Sequence, residues 1–213
     1  MAGIWFAYAA ALSLGVAHAL EADHVVAVST FVSSRPVPGA AVGFGIRWGI
    51  GHSAVVVIIG AVVAWTGMTL PRQLALWAEL AVGLTILGLG IWATRTAHRL
   101  PQRVRSAAGV KCDPHERRSR LLCTGVGAVH GLAGSTPVVA LIPVTLLPDF
   151  RTALGYLIAF SVGTVLGMAC YAALAALAVS RAAFSRTLVR ATALASVLVG
   201  LLWTIRAANH LTA

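Results

Sequence analysis

Acidic residues are scarce in this chain. Only six of its 213 residues are Asp or Glu, and charged residues of both signs together make up 10% of the sequence. A soluble domain usually carries about 25% charged residues. The shortage excludes an ordinary soluble enzyme and a disordered tail, because both expose most of their side chains to water and need charge to do so.

Cysteine and catalytic motifs are also missing. The chain has three cysteines and no Cys-x-x-Cys pair, which excludes a disulfide-stapled secreted module and argues against a thiol–disulfide relay. No nucleophile–base pair or cofactor-binding motif stands out. We therefore expect no enzyme, no catalytic residues and no cofactor beyond a transported ion. A membrane metallohydrolase built on buried His and Asp is the least favoured alternative.

Apolar sequence is abundant instead. Hydrophobic residues make up 59% of the chain, and the mean hydropathy is +0.88. A bilayer core about 30 Å thick needs about 20 apolar residues per helix. Six runs meet this length, at about 3–30, 40–67, 74–94, 121–147, 152–179 and 188–208. The sequence predicts an all-α integral membrane protein, with six transmembrane helices in a single domain over residues 1–213 and lipid around it.

The basic residues predict the orientation of the chain in the membrane. Most of the sixteen Lys and Arg residues fall after the first, third and fifth runs, above all in a polar stretch at about 99–120. Loops after odd-numbered spans share one side, and positive loops favour the cytoplasm. Both termini are then predicted outside. Because the basic stretch sets topology, we expect no nucleic-acid partner.

The chain matches itself at a fixed distance. Residues 15–20 (GVAHAL) lie over residues 127–132 (GAVHGL), and at the same offset of 112 positions Gly51 meets Gly163. This predicts a first repeat at about 3–98 and a second at about 121–210. Each repeat holds three spans, an odd number, so the second enters the membrane in the opposite direction. Inverted repeats are common in secondary transporters, whose substrate site lies near the bilayer midplane.

Ionisable side chains occur inside three of the predicted spans. His18, Glu21, Asp23 and His24 lie in the first, His52 in the second and His130 in the fourth. Such groups are costly in a membrane and are usually functional. Imidazole with carboxylate suits nickel, cobalt, zinc or copper, whereas calcium and magnesium prefer an oxygen cage. These residues therefore predict a site for a divalent transition metal.

Helix geometry sets a condition on this site. In a regular helix Asp23 points about 140° away from His18. For His18, Asp23 and His24 to reach one ion, the first span must unwind locally. Glu21 is either a direct ligand or a hydrogen-bonding support for a histidine. His52 or His130, taken alone, could equally be a packing or interhelical hydrogen-bonding residue.

Three segments resemble the nickel–cobalt transporter superfamily. The run HALEADH at 18–24 resembles its H-x4-D-H signature, with Glu21 where the family usually has Asp. Gly51-His52-Ser53 is similar to its second signature, and HGLAGS at 130–135 is similar to a segment of the smaller urease-associated nickel permeases. The larger members have about eight spans, so the predicted six fit the short, urease-accessory type.

The resemblance implies a permease that moves nickel, cobalt or both across a bacterial inner membrane, in a direction that it does not define. The implied metal site is His18, Asp23, His24, His52 and His130, with Glu21 as ligand or support. Two other functions stay open: an anion exporter with a similar repeat, and a membrane scaffold that delivers metal during metalloenzyme maturation. A homo-oligomer is also possible.

Overall fold

The computed structural model describes residues 2–34, 37–97, 115–131, 140–181 and 185–212. All regular structure in these ranges is helical, as predicted. The helices are α1 (Ala2–His18), α2 (Ala22–Ser34), α3 (Pro38–Thr66), α4 (Arg72–Ala97), α5 (His115–His130), α6 (Ile142–Thr145), α7 (Phe150–Arg181) and α8 (Ser185–Thr212).

Long apolar helices make the protein a multi-pass membrane protein. Four segments within the described residues are long and apolar enough to cross a membrane: Pro38–Thr66, Arg72–Arg95, Phe150–Ser180 and Arg190–Thr212. The bent pair formed by α1 and α2 brings the total to five if it crosses as one span. Four or five spans are thus supported among the described residues, where six were predicted.

The fourth predicted span differs most from expectation. Residues 121–147 do not form one helix: α5 ends at His130, Gly131 turns, and α6 begins only at Ile142 with a proline in its first turn. Residues 132–139 lie outside the described part. Helix α5 already begins at His115, within the basic loop that the sequence predicts at about 99–120. Glu and Arg are good helix formers despite their polarity. A run of charged residues therefore does not by itself predict a loop.

The first predicted span is a helix broken in its middle. Helix α1 ends at His18, α2 begins at Ala22, and the two are bent by 55°. The N–H of Glu21 bonds the carbonyl of His18, and the carbonyl of Glu21 accepts the N–H of Val25 in α2. The chain therefore leaves one helix and enters the next within three residues. This confirms the expected local unwinding.

Close contacts at glycine define how the long helices pack. A Cβ added to Gly15 of α1 would collide with the backbone of Phe160 in α7, and one added to Gly163 with Leu12. The same holds between α5 and α3, where Gly127 meets Trp48. Likewise Gly51 meets Thr124. The second pair of contacts repeats the first with every residue displaced by 112 positions.

The direction of each helix follows from its contacts. Helices α3 and α7 are antiparallel, since Gly45 lies beside Met168 and Gly60 beside Leu157. Helix α1 runs parallel to α7, because early positions of α1 contact early positions of α7 and late positions contact late ones. By the same criterion α5 runs parallel to α3. It follows that α1 and α5 run in opposite directions.

Candidate metal centre

Four buried histidines meet at the break between α1 and α2. His18 is the last residue of α1, His24 lies in the first turn of α2, His52 is in the middle of α3, and His130 ends α5. None is more than 2% exposed. Three separate parts of the chain thus deliver imidazole rings to one place in the protein interior.

Three of these rings form a compact group. The ring centroids of His18 and His24 are 4.7 Å apart, those of His18 and His52 5.1 Å, and those of His24 and His52 5.3 Å. The Nε2 atoms of His18 and His52 are 3.1 Å apart. One ligand nitrogen from each of the three histidines lies within 4.8 Å of the others. This spacing suits three imidazoles around one ion.

Two carboxylates lie behind this group. Glu21 Oε1 is 3.2 Å from His18 Nδ1, and Asp23 Oδ1 is 3.0 Å from His24 Nδ1. Asp23 Oδ1 also accepts the backbone N–H of His24 at 2.9 Å. Because an ionised carboxylate only accepts, we assign the ring proton of each histidine to Nδ1. That tautomer leaves the lone pair on Nε2, where a metal would bind.

The carboxylates also form a group of their own. One ligand atom each from Glu21, Asp23 and His24 lies within 4.8 Å of the other two. The second carboxylate oxygen of Asp23 and the Nε2 of His24 are buried, and no described residue hydrogen-bonds to either atom. The Glu21 side chain is 32% exposed, whereas the Asp23 side chain is 4% exposed. This second group therefore reaches toward the protein surface.

His130 lies beside the three-histidine group rather than within it. Its Nδ1 donates to the carbonyl of Val126 at 2.8 Å, which leaves a lone pair on Nε2. That Nε2 is buried and has no hydrogen-bond partner within the part of the chain that the structure describes. The His130 ring is 5.9 Å from that of His24. The structure thus brings His130 next to the site without joining it to either group of possible ligands.

Two aromatic neighbours were not foreseen. The ring of Trp48 is 4.8 Å from His130, and that of Phe160 is 5.5 Å from His18. Both are fully buried. Trp48 lies one helical turn before His52, and the self-match of the sequence pairs it with Phe160. Those two signals together could have marked both residues as walls of the site.

The two helix ends at the break also affect the electrostatic potential at the site. The carbonyl end of α1, at His18, carries partial negative charge that favours a cation. The amide end of α2 carries partial positive charge that favours an anion, and Asp23 lies in its first turn. A dipositive ion near His18 and a carboxylate at Asp23 are therefore both stabilised by the helix ends. The arrangement suits reversible binding of a divalent cation.

Comparison with known proteins gives three relatives. The chain is 30% identical over 165 residues to "Urease accessory protein UreH" of Bacillus sp. (strain TB-90), covering 76% of this chain and 72% of the relative. It is 29% identical to "Chloroplast protein FOR GROWTH AND FERTILITY 1" and to "Chloroplast protein FOR GROWTH AND FERTILITY 2" of Arabidopsis thaliana. These matches cover 75% and 74% of this chain but only 46% and 43% of the plant proteins.

No protein-family profile and no solved structure matches the chain. The Bacillus relative is named as an accessory protein of an enzyme, in agreement with the expectation that this chain is not itself an enzyme. The match extends over most of both proteins, and His24 lies close to Asp23 and to His18 in the structure. The chain belongs to the family of the urease accessory protein UreH.

Proposed function

We propose that the protein is a secondary permease for divalent transition-metal ions, with Ni²⁺, Co²⁺ or both as cargo. One observation carries the proposal: His18, His24 and His52 converge, buried, at the break of a bent pair of apolar helices. Three buried imidazoles in one place are hard to explain as packing, because each is a costly group in a membrane. Broken helices are typical of transporter binding sites.

The donor set supports this choice of cargo. Imidazole nitrogen with nearby carboxylate suits borderline transition metals, whose affinity for such sites rises from cobalt to nickel. Asp23 and Glu21 supply negative charge against the +2 charge of the ion. His130, adjacent to His24, would receive or hold the ion on its path. The name of the Bacillus relative points to urease, and metal supply is one way to assist a metalloenzyme.

We also propose that the two halves of the chain are inverted repeats within a six-span fold. The repeated glycine contacts and the opposite directions of α1 and α5 support this arrangement. On this proposal α5 contributes to the remaining span, and the halves meet at the histidines. We place the protein in a bacterial inner membrane, with both termini outside and the basic stretch before α5 in the cytoplasm.

Metal accumulation in cells tests the proposal. We expect His18→Ala and His52→Ala each to lower nickel- or cobalt-dependent accumulation or efflux by about tenfold or more, since each removes a ligand. His210→Ala is the matched control, because His210 is exposed near the end of α8. Metal content should be measured at equal protein level in the membrane. Unchanged metal movement in both variants would contradict the proposed site.

Reconstituted vesicles separate the permease from two alternatives. Vesicles that take up nickel down an imposed gradient support a permease. Vesicles that bind nickel and never release it inside would favour a metal-delivery scaffold, a function that the accessory role in the relative's name also allows. Protein that neither binds nickel nor changes its movement would favour a transporter of another solute, such as an anion.

A further inference from the structure

His24 belongs to two different groups of possible metal ligands. One is His18, His24 and His52, which we call the histidine station. The other is Glu21, Asp23 and His24, which we call the carboxylate station. We propose that these are alternative stations for the same ion, occupied one at a time, and that His24 passes the ion between them. The inference rests on the proposed function and adds a sequence of events to it.

Single occupancy follows from the chemistry of one imidazole. A neutral histidine has one nitrogen lone pair, because its other nitrogen carries the proton. His24 can therefore bind one ion at a time. When Asp23 accepts the proton of His24 Nδ1, the lone pair is on Nε2, which is buried and has no hydrogen-bond partner among the described residues. An ion in either station uses the single lone pair of His24, whichever ring nitrogen carries it, so the other station loses its third ligand.

The exposure of the ligands sets the order of the stations. Glu21 is about one-third exposed, whereas His18 and His52 are buried. Asp23 adds a buried carboxylate oxygen that accepts no hydrogen bond from the described residues and is available to the ion. The carboxylate station is therefore the one that reaches the protein surface. The histidine station is reached from it without leaving His24.

Both stations draw on the negative charge of the same two carboxylates. Two carboxylates neutralise a dipositive ion directly. In the histidine station the same carboxylates act through the rings, with Glu21 at Nδ1 of His18 and Asp23 at Nδ1 of His24. A carboxylate behind a ligating histidine raises the basicity of that ligand. The two stations thus use one set of charges in two ways, which keeps binding reversible.

Two substitutions isolate the stations. Glu21→Gln weakens the carboxylate station, and the amide oxygen of Gln can still accept the Nδ1–H of His18. His52→Gln removes a nitrogen from the histidine station and leaves Glu21, Asp23 and His24 in place. His24→Gln weakens both. His210→Gln is the control, and His18→Gln is a second variant for the histidine station if His52→Gln fails to fold.

Nickel titration of the purified full-length protein, combined with X-ray absorption to count imidazole ligands, tests the inference. We expect one ion per chain in wild type. Glu21→Gln should keep several imidazoles around nickel and load it several-fold more slowly. His52→Gln should still bind one ion, through oxygen ligands and fewer imidazoles. His24→Gln should bind more weakly than either.

Three results would overturn the two stations. One is wild type binding two ions per chain. Another is loss of all binding in both Glu21→Gln and His52→Gln, which would mean one site that needs every ligand. The third is the same imidazole count in wild type and in every folded variant. Each of these leaves metal binding by wild type intact, so the proposed permease survives. Wild type that binds no nickel would overturn the permease and the stations together.

Discussion

At the scale of single residues, hydrogen bonds decide what each histidine can do. The sequence singles out His18, His24 and His52, because ionisable groups are rare inside apolar spans. It could not decide whether Glu21 supports a histidine or binds metal, since that depends on a separation of 3.2 Å between two side-chain atoms. The structure shows Glu21 at His18 and also in a ligand group with Asp23. Both roles stay available to one residue.

Packing at one glycine gives a prediction on stability. A Cβ on Gly163 would collide with the backbone of Leu12, so the α1–α7 contact must open for any larger residue. We expect Gly163→Ala to destabilise the protein by about 1–3 kcal/mol, the usual cost of overpacking. The midpoint of thermal unfolding in detergent measures it.

The control for this change is Gly88→Ala in α4, where an added Cβ meets nothing within 4 Å. Alanine is a better helix former than glycine by about 1 kcal/mol, so this variant should be as stable as wild type or more so. Equal unfolding midpoints for Gly163→Ala and Gly88→Ala would show that the α1–α7 contact is not tight.

At the scale of elements, the predicted and observed helices differ mainly at their ends. The break in the first span was predictable, because three polar side chains could reach one point only if the helix unwound. The end of α5 at His130 was not predicted, because the glycines and apolar residues of the sequence around it also suit a continuous membrane helix. Helix α5 begins at His115, within the stretch predicted as a basic loop, because its polar first turns look like a loop in the sequence.

The start of α7 gives a prediction on pH. Asp149 caps this helix: its carboxylate accepts the backbone N–H of Thr152 at 2.9 Å and the Thr152 hydroxyl at 2.7 Å. The backbone hydrogen bond from Thr152, helped by the hydroxyl, holds the pKa of Asp149 below its ordinary value. A pKa lowered by folding means that the ionised form stabilises the fold. That stabilisation is present above the unfolded pKa, about 3.9, and is lost as the pH falls through the folded value.

We therefore expect Asp149→Ala to lower the unfolding midpoint at pH 7 and to have a smaller effect in acid. Asp149→Asn is the matched control, since asparagine caps a helix about as well as aspartate but does not titrate. The difference in unfolding midpoint between Asp149→Asn and wild type should vary with pH only because the variant lacks the charge. A constant difference between Asp149→Ala and wild type from pH 7 to pH 3 would contradict the role of the ionised cap.

At the scale of the whole molecule, the contacts between helices fix which ends share a side. Helix α1 is parallel to α7 and antiparallel to α3, so the end of α3 lies near the start of α7. The rings of Trp65 and Phe150, 6.1 Å apart, agree with this. The apolar runs of the sequence predicted most of these helices. The two inverted repeats that the self-match predicts stay a prediction. Only contacts could show that α1 packs on α7 rather than on its neighbour α2.

Labelling of single cysteines tests the predicted orientation. In a variant whose native cysteines are replaced by serine, Met68→Cys lies exposed between α3 and α4, and Ser180→Cys lies exposed near the opposite end of α7. We expect a membrane-impermeant maleimide to label Met68→Cys in intact cells, and Ser180→Cys only after the membrane is opened. The reverse pattern would place the basic stretch outside, against the positive-inside rule.

The partners of each long helix have a consequence for biogenesis. Helix α1 packs on α7, α3 on α5 and α7, and α4 on α8, so the main contacts join the two halves of the chain rather than helices within one half. The ribosome completes α1 to α4 before α7 and α8 exist. During that interval the first half lies in the bilayer without α7 and α8. The glycines that contact these helices, and the histidines that are buried in the complete protein, are then exposed. Synthesis of the second half is therefore the step that closes the protein, and a chain truncated before α7 should be an early target for membrane proteases.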